Sequence, residues 1–248
     1  MTQSAWKVDV LLAGSWRGAT SVLLSDARRH VIVDTGMPNE SHQLVAALDQ
    51  RGLRPEDVQV IINTHFHVDH VLNNSLFPNS TIYASQESHD WCCALYSDLR
   101  DKAHWEKLVL KYYPETFDYE RAGELMGKLR KMALRWWDPK RLGRRTHFRW
   151  TETHALPEGL ESVVTAGHVP GHISIVVRSP EEDTIIAGDV VLSRDAKAEV
   201  LTMIPHQRRR FELDRTRLLA LGGRILPGHG DEFLSPEAKE QWPVASDQ

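Results

Sequence analysis

Along the chain, short and almost continuously apolar runs alternate with stretches whose apolar residues recur three or four positions apart. Val8–Leu12, Ser21–Ser25 and Val31–Asp34 are β-branched or apolar runs, each closed by Gly or a polar turn, and predict strands. Glu40–Gly52 carries Leu44, Val45 and Leu48 at the spacing of one helix face, and Gly52 stops it. Val58–Asn63 and Thr81–Ala84 predict two further strands, and Asp69–Leu76 between them predicts a short helix ending near Pro78. From Gln86 to about Trp150 the pattern is helical. Strands return at Leu160–Thr165, Ile173–Val177 and Thr184–Ala187, followed by a helix over Arg208–Leu221 and a short strand at Ile225–Leu226. Two β-rich halves around a helical excursion predict one α/β domain over residues 1–248, with residues 86–150 as an insert.

Composition narrows the class. With 248 residues, 41% hydrophobic and 26% charged, the chain has the balance of an ordinary globular protein. A net charge of −4 gives no overall attraction to nucleic acid or anionic membrane, and no run approaches the roughly 18 apolar residues of a membrane span. The two cysteines, Cys92 and Cys93, are adjacent and make no disulfide framework. With no secretory pattern over Met1–Asp9, a cytoplasmic location is expected. The charge is uneven, however. Between Leu125 and Trp150, nine Lys/Arg accompany one acid, Asp138. Trp91, Trp105, Trp136 and Trp137 lie in the same insert, where Trp136-Trp137 and its neighbours either line an apolar acyl pocket or form the insert's own core. The basic run Lys128, Arg130, Lys131, Arg135, Lys140, Arg141, Arg144 and Arg145 either meets a substrate carboxylate or phosphate or is a solvated face. Arg208-Arg209-Arg210 reads as surface.

Thirteen histidines without a charge surplus raise the question of metal. The sharpest cluster is Thr64-His65-Phe66-His67-Val68-Asp69-His70, directly after an apolar strand. In extended backbone His65 and His67 point to one side. Asp69 and His70 then project from the first turn of a helix in another direction, so one segment can serve two metal positions. Gly167-His168-Val169-Pro170-Gly171-His172, Gly188-Asp189 and Pro227-Gly228-His229-Gly230 each follow a predicted strand. Strand C-terminal ends are where α/β folds place their sites. The remaining histidines, His206 among them, belong to no motif.

These four segments, in this order, together with Val33-Asp34-Thr35-Gly36, resemble the metallo-β-lactamase-fold hydrolase superfamily over Val31 to Gly230. The resemblance implies a four-layer αββα sandwich with metals at one edge between its two sheets. It assigns His65, His67 and His168 to one ion and Asp69, His70 and His229 to a second, with Asp189 bridging. Asp34 then orients a ligand histidine, although it is also a turn-former, and His172 is a supporting residue. The implied cofactors are two divalent ions, Zn²⁺ first, with Mn²⁺ or Fe²⁺ as alternatives for the same donors. Two such ions lower the pKa of a shared water toward 7, and Asp69 is the expected catalytic proton acceptor beside it.

The fold hosts many chemistries, so departures from its subfamilies matter. A common β-lactamase would carry Cys where Asp189 stands, and a flavodiiron protein would carry Glu where His67 stands. A glyoxalase II would need a glutathione-binding region beyond His229 and is not expected. Acyl-homoserine lactonases are similar in length and motifs, but usually carry a Tyr shortly after the bridging Asp, where this chain has Val190, Val191 and Leu192. The expectation is a dinuclear hydrolase of an ester, lactone or thioester, acting on a small, partly apolar substrate. Its homodimerisation would fit the family. The rivals are a phosphodiesterase or nuclease, resting on the basic insert, and a mononuclear iron dioxygenase of sulfur substrates.

Overall fold

The computed structural model describes residues 6–15, 18–101, 107–115, 119–194 and 205–235. The first sheet contains β1 (Lys7–Leu12), β2 (Ser21–Ser25), β3 (His30–Val33), β4 (Val60–Ile62), β5 (Thr81–Ala84) and β6 (Phe148–Trp150), side by side in chain order. Its first three strands are an antiparallel meander, and β3 to β6 run parallel. The second sheet holds β7 (Leu160–Val164), β8 (Ile173–Val177), β9 (Thr184–Gly188), β10 (Arg224–Pro227) and β11 (Phe233–Leu234), in the order β11-β10-β9-β8-β7. The helices are α1 (Ser41–Asp49), α2 (Val68–Val71), α3 (Gln86–Arg100), α4 (Leu108–Tyr112), α5 (Tyr119–Trp136) and α6 (Arg208–Leu219).

Why the strands read as continuous apolar runs follows from the layers. Successive strand side chains point to opposite faces, and here both faces are covered. Val22, Leu24, Val31, Val33 and Ile62 of the first sheet meet Ile173, Ile175, Val177, Ile186 and Leu226 of the second. The alternate positions Leu23, Ile32 and Ile61 face α1 and the helices of the insert. On the far side, Val176, Ile185 and Ala187 pack on Phe211 and Leu218 of α6. The result is the αββα sandwich. Each buried Val, Leu, Ile or Phe among these stabilises by about 1.5–3 kcal/mol relative to exposure.

Some elements differ from the sequence pattern. The stretch expected to be one helix, 69–76, is α2 followed by a separate 3-10 turn, Asn74–Leu76. Asn73 Nδ2 donates to the carbonyls of Thr35 and Met37, and Asn74 Nδ2 to that of Leu142, ties that compete with a continuous helix. The helical reading of 86–150 fails at its end: Phe148–Trp150 is β6, paired in parallel with β5. That pairing joins residues more than sixty positions apart, which local pattern does not carry. Trp137 is 5% exposed and belongs to the core, which decides for the core reading at that position. Trp136 is half-buried under the Arg135 guanidinium, and Trp105 lies outside the described residues. Among the described residues, no helix is long and apolar enough to cross a membrane.

Candidate metal centre

The site forms where β4, β7, β9 and β10 end at one edge of the sandwich. Past β3, Asp34 adopts φ 55°, a left-handed conformation that Asp tolerates better than most residues. This turn aims its carboxylate at the segment after β4. There it accepts from Thr64 N at 2.8 Å, Thr64 Oγ1 at 2.7 Å and His70 Nδ1 at 2.7 Å. Since the Thr64 hydroxyl donates to Asp34, it accepts from His65 Nδ1 at 3.1 Å. His229 Nδ1 donates to the Ser15 carbonyl at 2.7 Å. In the neutral form of all three rings the proton is therefore on Nδ1, and Nε2 is the nitrogen left facing the centre.

His172 is engaged differently. Asp189 N donates to its Nε2 at 3.1 Å, so Nδ1 carries the proton and donates to Thr165 Oγ1 at 2.8 Å. The relay continues through Ser174 Oγ to the Ala187 carbonyl. Both ring nitrogens are thus used in holding the Asp189 backbone. His168 Nε2 instead faces His67 Nδ1 at 3.1 Å.

Two donor groups result. One donor atom each from His65, His67, His168 and Asp189 lie within 4.8 Å of one another, and so do those of Asp69, His70 and His229. Asp189 reaches both groups. Its Oδ2 is 3.8 Å from His65 Nε2 and 3.5 Å from His168 Nε2, while Oδ1 is 3.2 Å from His70 Nε2 and 3.3 Å from His229 Nε2. His229 Nε2 is also 3.4 Å from Asp69 Oδ2. Among the described residues, nine buried side-chain polar atoms lack a hydrogen-bond partner. Four of them, His65 Nε2, His70 Nε2, His229 Nε2 and Asp189 Oδ1, face one another at this centre. An orphaned buried polar atom costs about 1–3 kcal/mol, and four at one point are what a cation would satisfy. Imidazole and carboxylate donors in this number fit divalent Zn, Mn or Fe.

Charge divides the centre in two. Burial pushes His65 and His168 well below the ordinary histidine range, His67 down to about 4 and His172 to about 3, so these rings stay neutral. Burial also opposes charge on His70 and His229, but the neighbouring carboxylates outweigh it. Asp189, Asp34 and Asp69 raise His70, while Asp189 and Asp69 raise His229 to about 9. Asp189 is held well below the usual carboxylate range, because His229 and His70 overcome its burial.

Space is equally constrained. A Cβ at Gly228 would collide with Asp189 Oδ1, and one at Gly188 would lie 2.7 Å from His172 Nε2. The Gly beside each motif residue is thus explained at these two points by close approach. The His168 loop is clamped by α6: Gly167 N donates to Asp214 Oδ2 at 3.0 Å, and Arg210 Nε bonds the same carboxylate at 3.1 Å. Arg210 is exposed, as read from the sequence, and from the surface it still reaches that carboxylate.

Every residue that the sequence pattern nominates is brought to this edge: His65, His67, Asp69, His70, His168, Asp189 and His229. Supporting groups escaped notice. His206 N bonds the His168 carbonyl at 2.8 Å, and its Nδ1 the Tyr112 carbonyl at 2.6 Å. Neither partner lies near it in sequence, so no local signal marks it. Within the basic run, Lys128 pairs with Glu124, and Lys131, Lys140, Arg144 and Arg145 are exposed.

A model of the metallo-beta-lactamase superfamily matches residues 14–229. The chain belongs to that superfamily, whose members include metal-dependent hydrolases. Human metallo-beta-lactamase domain-containing protein 1 is 27% identical over 243 residues, covering 93% of this chain and 73% of the relative. Among solved structures, the dizinc quorum-quenching lactonase AidC superposes with TM-score 0.61 at 16% identity, over 97% of this chain and 100% of its own. A metallo-beta-lactamase family protein from Thermus thermophilus gives TM-score 0.61 at 19% identity, over 92% and 75%. At such identities the structural likeness is one of fold.

Proposed function

We propose that the chain is a dinuclear metal-dependent hydrolase that cleaves an ester, lactone or thioester of a small, partly apolar substrate. The observation that carries this reading is the convergence of two donor groups on the two oxygens of one buried carboxylate, Asp189. His65, His67 and His168 would hold one ion, Asp69, His70 and His229 the other, with Asp189 shared. When bound, the ions supply Lewis acidity and a hydroxide equivalent at neutral pH. The residues then have distinct tasks. Asp34 and Thr64 hold the tautomers of His70 and His65, and the Ser15 carbonyl holds that of His229. His172 steadies the backbone of Asp189. Asp69 and His229, 15% and 12% exposed, form the more open side of the centre, where substrate and solvent reach it. A carboxylate there can accept a proton and pass it to water, the role assigned to Asp69.

In this reading residues 1–248 are one domain and the insert over 86–150 covers the metal edge as a lid. The fold shared with the lactonase AidC makes lactones the first substrates to try. Metal analysis of protein purified without chelator, followed by lactone, thioester and bis-nitrophenyl phosphate panels, tests the proposal. Two ions per chain with lactone or thioester turnover are expected, and His67→Ala or Asp189→Asn should remove most metal and activity. One iron with oxygen uptake, or turnover by a metal-free variant, would overturn it.

A further inference from the structure

Helix α2 begins immediately after His67 and is only four residues long. The first N–H groups of a helix have no partner within it, and His67, which occupies the N-cap, makes no side-chain capping bond. Val68 is fully buried, so its N–H has no water to turn to. The acceptor comes from the insert: Val68 N donates to Tyr96 Oη at 3.1 Å. Tyr96 is fully buried on α3, its ring 6.5 Å from that of His67 in an edge-to-face arrangement. On its other side it stacks on Trp137 at 4.4 Å and 28°, and the Trp137 carbonyl accepts from Arg100 of α3. A column of side chains thus runs from the insert to the peptide between His67 and Asp69.

We propose that Tyr96 is a positioning residue for the metal centre: its hydroxyl caps Val68 N and holds His67 and Asp69 in the register that lets one segment serve both ion positions. The insert is then a structural part of the centre as well as its cover. This rests on the metal-binding reading above.

Tyr96→Phe keeps the ring and its stack and removes only the acceptor. A buried N–H left unpaired corresponds to roughly a ten-fold loss. Zinc affinity, measured by competition with a chelating dye, is expected to weaken about ten-fold, with shifted visible bands in the cobalt-loaded protein. A fall in kcat with KM little changed should accompany it. Tyr112→Phe is the matched control. It removes a phenol that bonds Asp98 elsewhere in the insert and should leave affinity and spectrum alone.

Val68→Pro provides an independent arm. Proline is tolerated at the first helical position, and His67 at φ −66°, ψ 152° suits the residue before it. This variant also lacks the bond, and because proline's Cδ takes the place of the N–H beside Tyr96 Oη, adding Tyr96→Phe to it should cost nothing more. Wild-type affinity and spectrum in Tyr96→Phe, an equal loss in Tyr112→Phe, or additive losses in the double variant would each overturn the proposal. A wild-type chain that binds no metal would instead sink the reading of function.

Discussion

At the scale of single residues, the centre is a set of protonation states. In the metal-free chain His229 is raised to about 9, as Asp189 and Asp69 outweigh its burial, so it is protonated at pH 7. An ion can take its Nε2 only after that proton leaves. Affinity at this position should therefore rise with pH toward 9 and fall in acid. Zinc calorimetry at pH 7 in two buffers of different ionisation enthalpy should report proton release on binding. Equal heats in both would contradict it. Much of this was legible in sequence, because His65, His67, Asp69 and His70 lie within six positions. The family resemblance placed His168 rather than His172 among the ligands, but the physical reason was not legible. Only the hydrogen bonds from Asp189 N and to Thr165 show that His172 has no free nitrogen.

At the scale of elements, the ends of strands and helices carry the site. Asp214 of α6 is buried and accepts from both Gly167 N and Arg210, so it clamps the loop that presents His168. Asp214→Ala leaves the Gly167 N–H unpaired and should cost about 1–3 kcal/mol in urea denaturation. Asp214→Asn, which keeps an acceptor, should recover most of that loss. The inner strands β2, β3, β8 and β9 were readable because they are buried and apolar on both faces, and the predicted helix over 208–221 ends within two residues of α6. β6 was not readable. Three residues at the end of a helical stretch become a strand only because β5 offers an edge far away in sequence.

At the scale of the whole molecule, the donors come from both halves of the sandwich: His65, His67, Asp69 and His70 from the first sheet, His168, Asp189 and His229 from the second. Bound ions would staple the halves together. At free metal about a hundred times Kd the stabilisation is about 2.7 kcal/mol, or a Tm shift of about 5–10 °C for a chain of this size. Thermal melts with and without chelator should show that drop in wild type and little of it in Asp189→Asn. The sequence by itself determined the donor types, their order and their placement after strands, since local spacing and apolar periodicity are properties of neighbours. Tertiary structure decided which ring nitrogens face the centre, how one carboxylate reaches two groups, and that a phenol from the insert caps the segment between them. Those depend on hydrogen bonds and packing between residues that the chain places far apart, and only folding brings them within bonding distance.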